Sequence, residues 1–155
     1  MINKSLLLAI ALLNAVNGYS QPSKQVKTMK LNAGIITERL QETKVFYTEV
    51  LGFGVTFENE FYLLLHTPDH GAEISFLLPG HESQQPIFQA PFQNQGVYLT
   101  LEVDDVDSMY AAFREKNVPI EIELREEPWG DRHFAIVDPN GIGIDIVTYS
   151  APEGE

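Results

Sequence analysis

The second half of this chain repeats the first. Ile35 and Leu101, Leu40 and Val106, Thr43 and Met109, and Tyr47 and Phe113 each stand 66 residues apart, and each pair holds the same place in a recurring pattern. In the first half, Lys30 to Thr37 is a short β-like run with Leu31, Ala33 and Ile35 on one face. A helix opens at Thr37 or Glu38. Its apolar face is Leu40, Thr43, Phe46, Tyr47 and Val50, and Gly52 is its terminating glycine. Strands follow at Val55 to Phe57, Phe61 to His66 and Glu73 to Leu78. In the second half, Val97 to Val103 is a strand, and Asp104 or Asp105 caps a helix with Val106, Met109, Tyr110 and Phe113 on one face. Asn117 ends that helix. Ile120 to Leu124, Phe134 to Val137 and Ile142 to Val147 are further strands.

An internal repeat of this kind dictates much of the architecture. A single helix covers only one face of a four-stranded sheet, so the other face is expected to be buried against a second sheet, the two halves facing each other and enclosing a cavity. The expected fold class is α+β, with two tandem βαβββ modules forming an open cup of mixed β-sheet and helices outside. A cup mouth is where a small ligand binds. The expected domain spans 30–149, with a first module at 30–80, a polar linker at 81–95, a second module at 96–149 and a polar tail at 150–155.

Met1 to Ser20 does not read as fold. Lys4 makes a short positive region, Leu6 to Val16 is apolar apart from Asn14, and Gly18 and Ser20 precede a cleavage before Gln21. This is a secretory signal pattern, with 21–29 a flexible lead-in, so a periplasmic or secreted location is expected and no membrane partner after removal. The net charge is −12 and no basic stripe exists, which excludes a nucleic-acid partner of the phosphate-neutralising kind. There is no cysteine, so disulfides, thiolate metal sites and a cysteine nucleophile are all excluded.

The candidate site residues cluster around the last hairpin. Asp138-Pro139-Asn140-Gly141 is a turn in which Asp accepts backbone N–H bonds, Pro presets φ and Gly supplies positive φ. The only tryptophan, Trp129, enters this region ahead of Asp131, Arg132 and His133, and a large aromatic beside convergent polar groups makes a ligand edge. Asp145 lies within Ile-Gly-Ile-Asp-Ile, where it would serve as a hydrogen-bonding anchor or proton shuttle, with Tyr98 as its partner or as a second ligand contact. Arg132 has the fork that recognises a carboxylate or phosphate. His66, His70 and His81 stand at turns. No glycine-rich phosphate loop, G-x-S-x-G elbow or H-E-x-x-H pair is present.

The repeat, Phe46-Tyr47 with Leu51-Gly52-Phe53, the run Leu101 to Asp107 and the Asp138 to Gly141 turn together resemble the vicinal oxygen chelate superfamily. That superfamily holds glyoxalase I, extradiol dioxygenases, fosfomycin-resistance enzymes and bleomycin-binding proteins. The resemblance implies a ligand site on the first and fourth strands of each module, at Asn32, Tyr98, Ser75 (or Glu73) and Asp145. Metal-using members carry His and Glu at such places, and Asn, Ser and Tyr are poor substitutes. The expectation is therefore no cofactor, with a small aromatic or amphipathic molecule bound by Trp129, Tyr98, Asn32, Arg132, His133 and Asp145. The alternatives are a metal-dependent glyoxalase- or dioxygenase-type enzyme, and a metal-free lyase or isomerase with Asp145 as its catalytic base. A homodimer is expected from the resemblance.

Overall fold

A computed structural model describes residues 30–150, so the expected signal segment and lead-in, and the last five residues, lie outside the described residues. The first module contains β1 (Ala33–Ile36), α1 (Leu40–Val45), β2 (Gly54–Glu58), β3 (Tyr62–His66) and β4 (Glu73–Leu77). The second contains β5 (Tyr98–Glu102), α2 (Val106–Glu115), β6 (Ile122–Glu126), β7 (Arg132–Val137) and β8 (Gly143–Thr148). The sheets are built alike, in the orders β1-β4-β3-β2 and β5-β8-β7-β6. In each, the outer first strand pairs parallel with the fourth and the remaining pairs are antiparallel. The fold is thus α+β with two open, mixed, four-stranded sheets.

Side chains alternate across a strand, so each sheet has two chemically different faces. In the second sheet, Phe134, Ile136, Ile144 and Ile146 are wholly buried and turn toward α2. Phe134 meets Phe113 and Tyr110 of that helix edge-on, with ring centres 5.7 and 5.3 Å apart. In the first sheet, Leu63, Leu65, Ile74 and Phe76 do the same, and Tyr47 lies 5.0 Å from the Phe76 ring. The repeat partners Tyr47 and Phe113 thus each pack on the sheet of their own module, Tyr47 against the fourth strand and Phe113 against the third. The opposite faces are open. They carry Gly34, a buried Ser75 and Leu64 on the first sheet, and Thr100, Asp145 and Ala135 on the second, aligned in register.

The first helix departs from the expected continuous segment. Its α-helical part is six residues, Leu40–Val45, and Phe46–Val50 then widens into a π turn in which Leu51 N–H donates to Phe46 O at 3.3 Å. The widening keeps Tyr47 and Leu51 buried while Phe53 N–H closes on Tyr47 O at 2.9 Å. Gly52 follows at φ 75°, as its role as terminator requires. The second helix runs as expected, with Asp105 accepting from Ser108 N–H at 2.9 Å. Strand β6 begins two residues later than the Ile120 start expected, and an irregularity in register separates Ile122 from Arg125. The linker is partly ordered by a single 3₁₀ turn, Pro86–Phe88, and by Phe92 N–H donating to Ile36 O at 2.8 Å.

The two modules are joined by a buried polar clasp. Asp138 Oδ1 accepts from Asn140 N–H and Ile142 N–H, at 2.8 and 2.9 Å, and this shapes the turn between β7 and β8. Gly141 sits at φ 79°, where a side chain would be strained. From the first module, Tyr47 Oη–H donates to Asp138 Oδ2 at 3.2 Å, and Thr37 Oγ1–H donates to Asn140 Oδ1 at 2.5 Å. Asn140 Nδ2 donates to Asp138 Oδ2 at 2.9 Å and to Thr43 Oγ1 at 3.1 Å. All five residues are buried. Among the described residues, no buried side-chain polar atom lacks a partner, so the clasp carries no desolvation penalty of the orphaned kind.

Candidate functional site

The open face of the second sheet carries the densest group of the residues singled out from sequence. His133 and Asp145 lie on adjacent antiparallel strands, offset diagonally, and their side chains meet at 2.6 Å between Nδ1 and Oδ1. The other ring nitrogen faces Glu127 Oε1 at 3.0 Å. Arg125 Nη2 approaches that same Glu127 oxygen at 2.5 Å. The result is a line of alternating charge, Arg125, Glu127, His133 and Asp145. Two carboxylates can only accept, so an imidazole that satisfies both carries a proton on each nitrogen. Partial burial pulls the His133 pKa down, but the hydrogen bonds and charges of Asp145 and Glu127 outweigh it, and the value is raised above the ordinary one. Glu127 is held below the usual carboxylate range, first by its hydrogen bond to His133 and then by Arg125.

Asp145 thus pairs with His133 rather than with Tyr98, whose ring is 74% exposed. In register, Tyr98 lies beside Gly143 and it is Thr100 that lies beside Asp145. Arg132 does not join the group either. It alternates with His133, so it points to the helix side of the sheet. There its Nε and Nη2 fork onto Asp107 of α2 at 2.7 and 2.6 Å. Trp129 is 70% exposed, at the tip of a loop closed by Gly130 N–H donating to Glu127 O at 2.9 Å, and its indole N–H donates to Asp131 Oδ2 at 2.8 Å. From sequence, Glu127 reads only as the end of the charged run Glu121 to Glu127, the solvated face of an edge strand, whereas its side chain meets His133 and Arg125. Loop residues carry no periodicity, and only the fold shows that this loop turns back onto the sheet.

On the first sheet, Asn32 stands one residue before β1 and its amide approaches Glu73 Oε2 at 3.5 Å. Thr56 Oγ1–H donates to the other Glu73 oxygen at 3.3 Å. Ser75 Oγ–H donates to Ala33 O at 3.4 Å. The strand register pairs Gly34 with Ser75 as it pairs Thr100 with Asp145, which makes Ser75 the counterpart of Asp145. His66 turns its Nδ1 to its neighbour's carbonyl, Thr67 O, at 2.8 Å and stacks on His70 at 3.7 Å. Among the described residues, no group of three or more His, Asp or Glu is gathered so as to hold a metal ion. The Glu127, His133 and Asp145 line is not such a group. Its carboxylates lie at opposite edges of one ring and do not converge on a point.

Two cavities, of about 560 and 570 Å³, lie elsewhere. The first is lined by the clasp turn, Arg39 and the linker residues Phe92 and Asn94. The second is lined by Leu51, Phe53, the loop around Thr67 to Ala72, and Thr100 to Asp104 at and beyond the end of β5. Neither is lined by Asp145, His133, Tyr98 or Trp129, which lie instead on an open sheet face or its rim.

With two repeated modules, open sheets and the clasp in place, the class of fold is defined. Residues 30–146 match the model of the Glyoxalase/Bleomycin resistance protein/Dioxygenase superfamily. The protein belongs to that superfamily. Comparison with curated proteins returns no match. Among solved structures, a bleomycin resistance determinant encoded on the transposon Tn5 is similar at 20% identity and TM-score 0.59, covering 80% of this chain and 100% of that one. A lactoylglutathione lyase from Agrobacterium tumefaciens is similar at 17% identity and TM-score 0.65, covering 83% and 99%. A superfamily member from Sphaerobacter thermophilus is similar at 24% identity and TM-score 0.62, covering 79% and 98%. At these identities the likeness is one of fold.

Proposed function

We propose that this protein is a metal-independent binding module that holds a small aromatic or amphipathic molecule over the open face of its second sheet. The observation that carries this reading is the donor set at the family's ligand positions. Asn32 and Ser75 are neutral and already hydrogen-bonded, Tyr98 is a phenol, and Asp145 is engaged with an imidazole whose two nitrogens both face carboxylates. Such a set does not fit a transition ion that favours several imidazoles and carboxylates. It does fit hydrogen-bonded recognition, with the free oxygen of Asp145 and the Tyr98 hydroxyl as polar contacts. The exposed rings of Tyr98 and Trp129 supply stacking area.

Asn32 would contact the ligand from the first module in an arrangement where a second copy places its first sheet over this face, so the working form is a homodimer. In this reading the ligand is met outside the cytoplasm, after removal of residues 1–20. The test is a thermal-shift screen of small molecules followed by titration of Trp129 fluorescence, together with elemental analysis of the purified protein. Binding by a metal-free protein, weakened at least tenfold in Asp145→Ala, is the expected result. One firmly held transition metal per protomer, lost in Asp145→Ala, would overturn it.

The 2.6 Å contact between His133 and Asp145 favours one further reading, a metal-free lyase or isomerase that moves a proton through this pair. In that case Asp145→Asn keeps ligand affinity and abolishes turnover, and unchanged turnover would dismiss the enzyme.

A further inference from the structure

The clasp turn contains a chemical liability that binding does not use. Asn140 is followed by Gly141, one of two Asn-Gly pairs in the sequence, the other being Asn17-Gly18. A glycine nitrogen has no neighbouring Cβ to shield it. It can attack the asparagine Cγ, forming a new bond from nitrogen to Cγ as the Cγ–Nδ2 bond breaks and ammonia leaves. The resulting five-membered succinimide takes up one water and opens to aspartate or, at its other carbonyl, to isoaspartate. No oxidant or partner protein is needed.

In the folded protein every atom of this reaction is tied down. The attacking nitrogen, Gly141 N–H, donates to Asp138 O at 3.0 Å. The carboxamide oxygen accepts from Thr37 at 2.5 Å, and its nitrogen donates to Asp138 and Thr43 at 2.9 and 3.1 Å. The residue is 5% exposed, so its carboxamide has little freedom to turn toward the attacking nitrogen. Thr37 and Thr43 belong to the first module and Asp138 to the second. The bonds from the carboxamide to Thr37 and Thr43 are therefore also bonds that hold the halves together.

We propose that Asn140-Gly141 is a self-modification site gated by the clasp: it deamidates when Thr37, Thr43 and Asp138 let go, and the product prevents them from closing again. Isoaspartate routes the backbone through Cβ and lengthens the turn by one atom. The pair of bonds between Asp138 and Ile142, at 2.9 and 3.0 Å, then loses its register. A new carboxylate also replaces the neutral carboxamide beside Asp138, so Thr43 Oγ1 and Asp138 Oδ2 lose the Nδ2 donor and Asp138 meets a like charge. The event runs one way, and it records how long the clasp has been open.

The experiment incubates the full-length protein at mildly alkaline pH and follows isoaspartate at 140–141 by peptide mapping and isoaspartyl methyltransferase labelling, with Asn17-Gly18 resolved as a separate peptide. The expected result is slow conversion in the native protein and conversion at least tenfold faster in denaturant. Folded Thr43→Val and Thr37→Val variants should lie between the two. Should those variants fail to fold, native protein in urea below its unfolding transition replaces them. Its conversion rate should then rise with the exchange rate of the Gly141 amide. Equal rates in folded and unfolded protein, or no acceleration when the clasp is loosened, would overturn the gating. Asn140→Asp carries the charge without the extra backbone atom, so protein bearing isoaspartate at 140 should melt below both that variant and the unaged protein. Melting at the unaged temperature would overturn the proposed consequence.

Discussion

His133 shows how little sequence position says about a side chain's partners. Its two nitrogens each meet a carboxylate, one from β8 and one from the loop after β6. Its pKa is raised in the folded protein. Its stabilising contribution is therefore complete below the ordinary histidine value of about 6.5 and is lost as pH rises through the higher folded value. Denaturation midpoints measured across that window should fall with increasing pH in the wild type and stay flatter in His133→Gln. Identical slopes would show that the imidazolium is not bound as described. The neighbouring Arg132 teaches the complementary lesson. It shares parity with Phe134 and Ile136, which face α2, so its turn toward Asp107 was legible from strand alternation alone. Its assignment to a ligand gave weight to its charge and neglected its parity. Glu127 gave no such signal, because the loop that places it carries no period.

Among the elements, the repeat carried the most information. The order of strands and helices along the chain follows from it, Gly52 and the Asp138–Gly141 turn were legible from local turn chemistry, and the departures were the late start of β6 and the π turn that ends the first helix. What the repeat hid was its own break in symmetry. Tyr47 and Phe113 hold the same place in the repeat, but only Tyr47 has a hydroxyl, and it reaches Asp138. Burial, reinforced by the nearby Asp138 charge, holds that phenol well above its ordinary pKa. In the unfolded state the group ionises near pH 10, so stability should begin to fall there and continue to fall as pH rises toward the higher folded value. Tyr47→Phe should lower stability by about 1 kcal/mol at neutral pH through one lost hydrogen bond, and should weaken the alkaline decline. Urea titrations at neutral and alkaline pH report both effects. In the second module, Phe134 is wholly buried between two helix aromatics, and Phe134→Ala should cost about 3–5 kcal/mol by the same assay. A cost below about 1 kcal/mol would mean the site collapses around the missing ring.

At the scale of the whole molecule, the open faces set the expectation of pairing. Tyr98, Phe57 and Trp129 are all more than half exposed in one protomer, and sedimentation at rising concentration should reveal a dimer. A monomer throughout would leave Asn32 without a route to the same ligand as Asp145. The clasp bears on a different question, that of continuity. The modules grip each other through side chains of α1 and its entrance set against a hairpin turn, and no strand is shared between the two sheets. Cohesion should therefore survive a break in the peptide bonds between Glu82 and Gln85. Protein cut there by a protease should elute from a sizing column as one particle, and the two separately expressed fragments should complement each other when mixed.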